Sequence, residues 1–574
     1  MMNMEVRPPV GAEPAGKLLR DPSRSRVLGH LISLNGMHGM IAVNVTAEST
    51  SDQWSVGHLI SIQHDGARLV GVVCEMTAPD NSWTAAENNI VLVKVELNGV
   101  VLDDAEGKPR FFRGIQAYPR LGAVAHRIRS SDLAAIYAFN GKAGVEIGKL
   151  SQDANIPAKV SVEELVSRHF AVIGSTGVGK TTTVCMLIQK SLAARKNLRA
   201  LIIDPHNEFA SHFPDDSVVM DSDNLELPFW MFKFEEISDI VFSGRKPSSD
   251  ETDALYDLIK SAKSRFAGAQ SSSAGAALAQ ALSSVRRPGA PAGVDAPNNA
   301  NISADTPLPY RMADAIHILD GWMGKLDQSY PLAVLRAMKN RLEGLARDPR
   351  YRFMFGKAMV EDNMARIISK VFRIPDEGKR VTVVQLAGLP NEVVNSVVSV
   401  LARMAFDICL WSGGGYEIAV VCEEAHRYIP NDRSLGFGPT RTAIGRIAKE
   451  GRKYGVSLGV VTQRPSELDS TVLSQCSTMF VMRLPNEADK AIVRAALAES
   501  SSSVVSFLSS LADREAIAFG EAIPTPMRMR FENVTRPRGL VDAHAPAAQK
   551  TGPLTGADVF RVIRKLRGES LGAE

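Results

Sequence analysis

Cysteine is scarce and poorly spaced for chemistry. The five cysteines, at positions 74, 185, 409, 422 and 476, include no CxxC and no pair at zinc-ligand spacing. That excludes a zinc-finger or disulfide-framework protein. Cys185 and Cys422 fall within apolar runs and read as small buried hydrophobes of a reducing compartment. Excess charge is lacking too: 66 Lys+Arg against 63 Asp+Glu leave a net charge of +3. Any nucleic-acid contact must then come from a local concentration of Lys and Arg, not from a bulk basic field. No window reaches ~18 uninterrupted apolar residues, so no membrane span is expected. The closest approach, Val393 to Trp411, carries Asn395, Arg403 and Asp407 and reads as a buried helix. The opening residues MMNMEVRPPVGAEPAGK have no apolar core of a secretory signal, so a cytoplasmic location is expected. No internal repeat of fixed period is found.

What is present is an ordinary globular composition, 45% apolar and 22% charged, over 574 residues. At about 150 residues per domain this is three or four domains' worth of chain. Residues 1–25 are rich in Pro, Gly and Ala and are expected to be flexible. Residues 26–150 hold short β-like runs punctuated by Gly, Asn and Asp, which suits a small β-barrel or sandwich. From about 165 the pattern changes to strand–helix–strand (HFAVIG, TTTVCMLIQKSLAARK, LRALIID), a βαβ unit that implies a parallel sheet. The core is therefore expected over 151–235 and 373–535, interrupted by a helical insertion at 236–372 with an Ala/Ser/Gly/Pro-rich loop at 266–309. The run EAIAFGEAIPTPMRMRFEN reads as a hairpin, and a Pro/Ala-rich spacer leads to a last basic helix within 536–574.

GSTGVGKT at 174–181 fits GxxxxGK[ST] in full, between a predicted strand and a predicted helix. Gly174 and Gly179 let the backbone turn so that the N–H groups of the loop Ser175, Thr176, Gly177 and Val178 point inward around phosphates. The helix N-terminus adds positive dipole. Lys180 brings a charge to the β- and γ-phosphates, Thr181 a hydroxyl to Mg²⁺, and Thr182 a contact to the α-phosphate. IAVVCEEAH at 418–426 is an apolar strand ending in acids, the arrangement that holds a metal-water shell and activates water beside such a loop. Glu423 is assigned to the metal and Glu424 to the attacking water, although Glu stands first where Asp is commoner. The long separation of the two motifs suits the RecA-like class, with SLGVVTQ as the strand between them. Its end puts Gln463 where an amide could sense the γ-phosphate.

The block SRHFAVIGSTGVGKT, then LIIDPHNEF, CEEAHRYIP and GRIAKEGRKYGVSLGVVTQRPSEL, resembles HerA, the hexameric DNA translocase type of the HerA/FtsK superfamily, over about residues 26–535. The resemblance implies an α/β fold: a RecA-like P-loop ATPase core with a helical insertion, preceded by a small N-terminal barrel. It implies ATP and Mg²⁺ as cofactors, with Asp204 and Glu208 as the acids of a DxHGEY-like motif and Asp204 near the metal. Here Asn207 stands for the usual Gly and Phe209 for the usual Tyr. Arg168 occupies the position of an arginine that reaches the nucleotide site. Arg452 and Arg446 are both candidates for a finger inserted into a neighbouring subunit, Arg452 being preferred. The resemblance further implies a homohexamer that threads double-stranded DNA, a bracing C-terminal tail, and a partner docked on the ring: a NurA-like nuclease, or a sirtuin-like or nuclease effector in antiphage defence. The alternatives are a nucleotide-binding ring that arrays an effector with little translocation, and a conjugation or secretion ATPase.

Overall fold

The computed structural model describes residues 26–45, 55–79, 83, 89–139, 144–271, 302–325, 329–356, 363–374, 378–413, 415–432, 434–496, 505 and 507–532. The expected flexible N-terminus at 1–25 and the tail at 536–574 lie outside these residues, as does most of the loop expected at 266–309. The chain divides into two compact units, Met1–Ala135 and Ile136–Glu574.

The first unit is all β. Its strands are β1 (Val27–Asn35), β2 (His38–Val45), β3 (Leu59–His64), β4 (Ala67–Thr77), β5 (Asn89–Asp103), β6 (Pro109–Arg113) and β7 (Val124–Arg127). They pair in the order β2-β1-β7-β3-β4-β5-β6, and an additional β2–β5 pairing closes the sheet into a barrel with β6 left outside the ring. Closure removes the edges that short strands would otherwise expose. Leu31, Ile41, Ile62, Leu69, Val73, Val93, Val95 and Ala125 point inward and are fully buried, as the alternation of the strands requires. The barrel ends earlier than the sequence pattern predicts. Strand β8 (Val145–Leu150), expected inside it, pairs instead with the far end of the core sheet, because the run of alternating residues carries no mark of which sheet it joins.

The second unit is built on an 11-stranded sheet in the order β12-β13-β11-β14-β15-β10-β16-β17-β18-β8-β9. Beyond β8 these are β9 (Pro157–Val160), β10 (His169–Ile173), β11 (Leu198–Asp204), β12 (Ser217–Met220), β13 (Val381–Gln385), β14 (Glu417–Cys422), β15 (Val456–Thr462), β16 (Cys476–Val481), β17 (Glu515–Gly520) and β18 (Met527–Phe531). From β12 to β16 every pairing is parallel, and from β16 onward every pairing is antiparallel. The strand SLGVVT does lie between β14 and β10, and the predicted hairpin is β17–β18. The central parallel strands β10, β11 and β15 are buried at every residue, as strands covered on both faces must be. His169 starts β10 buried; its ring Nδ1 accepts the Leu458 N–H at 3.0 Å and ties the P-loop strand to its neighbour.

Between β12 and β13 the chain makes the helical insertion, with helices Phe234–Val241, Ser249–Ser271, Met312–Met323, Leu332–Arg347 and Met364–Phe372. The second of these runs six residues into the stretch read as loop from 266, because a helix already formed propagates at one hydrogen bond per added residue. Buried Glu236 joins the insertion to the core helix Asn391–Trp411: its carboxylate accepts from Ser399 Oγ at 2.6 Å and from Arg403 at 3.1 Å. That core helix contains Val393–Trp411, the one candidate span among the described residues by length and apolarity, and two-thirds of it is buried within the protein.

Candidate nucleotide site

Parallel strands β10, β11, β14 and β15 end at one edge of the sheet, and the loops that leave them converge there, as in other open α/β sheets. The turn after β10 is the Gly-rich loop. Gly177 and Gly179 have φ of +81° and +103°, the left-handed region that a Cβ disfavours. A Cβ on Gly174 would stand 2.8 Å from Cβ of Met482, so that glycine is required by space. Helix Lys180–Ala194 starts at Lys180, with its free N–H groups and dipole facing the loop. Loop and helix start form one wall of a cavity of about 350 Å³ lined also by His206, Glu208, Glu423, Glu424, Asp513 and Arg514.

The cations and acids of this cavity are coupled. Lys180 Nζ donates to the Ser175 carbonyl at 3.0 Å. Burial lowers its pKa, and the nearby charges of Glu424, Glu423 and Glu208 oppose that shift. Thr181 Oγ1 donates to Glu208 at 2.8 Å. Glu423 is pushed up to about 9, first by burial and then by Asp204, Glu208 and Glu424, so without a cation it holds its proton at neutral pH. Oε2 of both Glu423 and Glu424 is buried without a hydrogen-bond partner. Such orphaned acceptors fit a site that is completed by a cation with its water shell and a polyphosphate. Among the described residues no group of three or more His, Cys, Asp and Glu forms a metal cage.

Glu424 sits at φ +48°. For a residue with a long side chain this conformation costs of order 1–3 kcal/mol and clusters at functional sites. Its carboxylate lies 3.3 Å from Nδ1 of His426. That same Nδ1 is 3.1 Å from Thr462 Oγ1, and the next residue, Gln463, takes the Thr176 hydroxyl as donor. The strand end after β15 thus joins the acid-bearing turn to the tip of the phosphate loop.

The structure brings Thr176 to Thr182, Glu423 and Glu424 to one cavity, with Gln463 bonded to Thr176 at its rim, and it places three other predicted residues elsewhere. Asp204 is not free to ligate a metal. It is wholly buried, and its carboxylate accepts the N–H groups of His206, Glu208 and Phe209 at 3.2, 3.2 and 3.0 Å. It shapes the turn that delivers Glu208 to Thr181, an acid to which the sequence reading gave no role of its own. In that turn Asn207 has φ +61°, which explains why it can replace glycine: Asn tolerates the left-handed region best among side-chain-bearing residues. Arg168 lies at the start of β10, the opposite end from the loop. Five residues of strand, about 16 Å at 3.3 Å each, separate it from Gly174, and it pairs with Glu164 and Glu521. Arg446 stacks 4.0 Å over the Phe406 ring and pairs with Asp407. Arg452, in the last turn of helix Gly438–Tyr454, is exposed, and no ion pair is made to it among the described residues. Arg514 was missed altogether, having no motif around it.

With that geometry established, the chain can be compared with known proteins. Residues 145–405 match the family model described as Helicase HerA, central domain. The chain is a P-loop ATPase, and the part of it that carries the P-loop is similar to the HerA central domain. Its relatives include the DNA double-strand break repair helicase HerA of Pyrococcus furiosus, 26% identical over 73% of this chain and 74% of that one. The protein of the same name from Sulfolobus acidocaldarius is 22% identical over 86% of this chain and 92% of that one. Among solved structures, VirB4 of Thermoanaerobacter pseudethanolicus aligns with a TM-score of 0.47 at 14% identity, covering 69% of this chain and 98% of that one. The matched range takes in both the P-loop and the residues of the helical insertion.

Proposed function

We propose that the protein is an ATP-driven motor on double-stranded DNA, working as a homohexameric ring with a nuclease or defence effector docked on it. The observation that carries this reading is the location of Arg452. Its helix ends just before β15 begins, at the sheet edge opposite the phosphate loop. The seven residues of β15 span about 23 Å, so Arg452 cannot reach its own chain's cavity. An exposed guanidinium that makes no ion pair among the described residues suits insertion into a neighbour's site, where it would stabilise transition-state charge. The one-chain site then has its base and its phosphate cradle but lacks that cation, which supports assembly into a ring. The names of the relatives support DNA as the track.

In this reading Lys180 and the loop amides would bind the phosphates of ATP, Thr181 and Glu208 with Glu423 would hold the water shell of Mg²⁺, Glu424 would take the proton of the attacking water, and Gln463 would read the γ-phosphate through the Thr176 side of the loop. Bound Mg²⁺ would neutralise charge on the β- and γ-phosphates. The cluster RDPRYRF at 347–353 does not support a role on DNA, since Arg350 is held by Asp348 at 2.7 Å and Arg347 by Glu343 at 3.2 Å.

The test is ATP turnover of the purified full chain, with native mass measured alongside, across concentrations of duplex DNA. A sixfold mass and turnover that rises with DNA, less steeply at high salt, are expected. A hexamer whose turnover ignores DNA in the presence of its partner would instead make it a scaffold, and a monomer with full turnover would remove the trans arginine.

A further inference from the structure

The antiparallel end of the sheet returns to the phosphate loop at one residue. Arg514 lies in the turn entering β17. Its N–H donates to the Val178 carbonyl at 3.0 Å, and its carbonyl accepts the Phe531 N–H at 3.0 Å. It is therefore pinned between the loop and β18, and pinned at φ +61°, which costs an arginine roughly 1–2 kcal/mol. The neighbours hold the turn in place. The Glu515 carboxylate accepts from Ala512 N–H at 3.0 Å, Ser151 Oγ at 2.6 Å and Arg528 at 2.8 and 3.0 Å. Asp513, the carboxylate next in sequence, is taken by Arg483 at 2.8 Å.

Arg514 itself makes no ion pair among the described residues. It is half-buried, it lines the cavity, and its Cγ stands 3.2 Å from where a Cβ on Gly179 would be. Surrounding structure over-determines a strained backbone mostly where the side chain it aims has work to do. Here that side chain is a guanidinium, the group best matched to phosphate oxygens, in the wall of the cavity that the Gly-rich loop lines.

We propose that Arg514 is a nucleotide-binding residue supplied by the same chain as the P-loop, contacting the α/β-phosphate part of a nucleoside di- or triphosphate from the Gly179 side of the loop. The acids and Gln463 gather at Thr181 and Thr176, where the γ-phosphate and metal belong. Val178 and Gly179 belong to the stretch whose amides cradle the α- and β-phosphates. Arg514 therefore serves ADP and ATP alike. The inference rests on the P-loop being the nucleotide site.

The experiment is titration of the full chain with fluorescent ADP and a fluorescent non-hydrolysable ATP analogue, together with steady-state ATP turnover, for wild type, Arg514→Ala, Arg514→Lys, Arg514→Gly and Lys180→Ala. Arg514→Ala and Arg514→Gly are expected to weaken both nucleotides about tenfold, with the loss in kcat/KM carried by KM, and Arg514→Lys to recover part of it. Arg514→Gly relieves the positive φ, so its melting temperature should not fall below wild type, which separates lost contact from lost fold. Unchanged affinity in Arg514→Ala, or a fall in kcat with KM unmoved, overturns the assignment. A wild type that binds neither nucleotide, or Lys180→Ala binding as tightly as wild type, would sink the P-loop reading itself.

Discussion

Replacing Glu424 by Gln tests the centre of the mechanism with a change of one atom. The amide keeps the size of the side chain and its place in the cavity, but it cannot accept the proton of an attacking water. A positioned general base contributes typically 10²–10⁴-fold, which is about 3–5 kcal/mol of barrier at about 1.4 kcal/mol per factor of ten. Nucleotide binding should stay within about threefold, because Lys180, Thr181 and the loop amides are untouched and none of them bonds to Glu424. The structure supplies a second variant that separates chemistry from folding. At φ +48° the wild-type residue is strained by of order 1–3 kcal/mol, and glycine adopts that φ without the strain. Glu424→Gly should therefore lose turnover as fully as Glu424→Gln while melting no lower than wild type. The assay is single-turnover ATP hydrolysis with nucleotide excess removed, beside nucleotide titration and thermal melting. Turnover of Glu424→Gln within threefold of wild type would refute the base assignment. Loss of turnover in Glu424→Gly alone, with matching loss of stability, would mean that the turn and not the carboxylate matters.

Arg452→Ala should lower kcat on the order of 10³-fold, the range of a finger supplied in trans, with ATP affinity nearly unchanged. Mixing it with Lys180→Ala should restore turnover at interfaces that pair the intact loop of one subunit with the intact arginine of the other, and failure to recover any activity on mixing would count against action in trans. Gly179→Ala puts a methyl at φ +103° and 3.2 Å from Arg514 Cγ. Nucleotide affinity should fall at least tenfold, read by the same titration, and wild-type binding would contradict the cradle geometry. His169 gives a pH signature in stability. Burial holds it at about 4, below the 6.5 of an exposed histidine. The folded protein thus binds fewer protons than the unfolded chain between these values, so its contribution is complete above 6.5 and is lost as pH falls toward 4. The loss is about 3 kcal/mol at about 1.36 kcal/mol per unit. Denaturant midpoints between pH 7.5 and 4.5 should fall less steeply in His169→Gln, and parallel slopes would refute the assignment.

The local signals were legible in the sequence because each has a local physical cause. Strand, glycine turn and helix in GSTGVGKT are specified by residues within one βαβ unit, and an apolar run ending in Glu423 and Glu424 must put its acids at a strand end. Even the order of β14, β15 and β10 followed from motif separation. The tertiary structure decided what depends on partners distant in sequence. Whether β8 closes a barrel or edges the core sheet is settled by β18, nearly four hundred residues away, and nothing in six alternating residues encodes that choice. Asp204 and Glu208 read alike as acids four residues apart, yet three backbone N–H groups occupy one and Thr181 meets the other. Arg168, Arg446 and Arg452 are equivalent as cations in the sequence. Only the direction of the strands and the carboxylates around each guanidinium divide them into two that are already paired and one exposed at the opposite edge. Arg514 carries no motif at all. Its position against Gly179 exists because β17 and β18 fold back on the phosphate loop, and long-range pairing of that kind leaves no periodic trace along the chain.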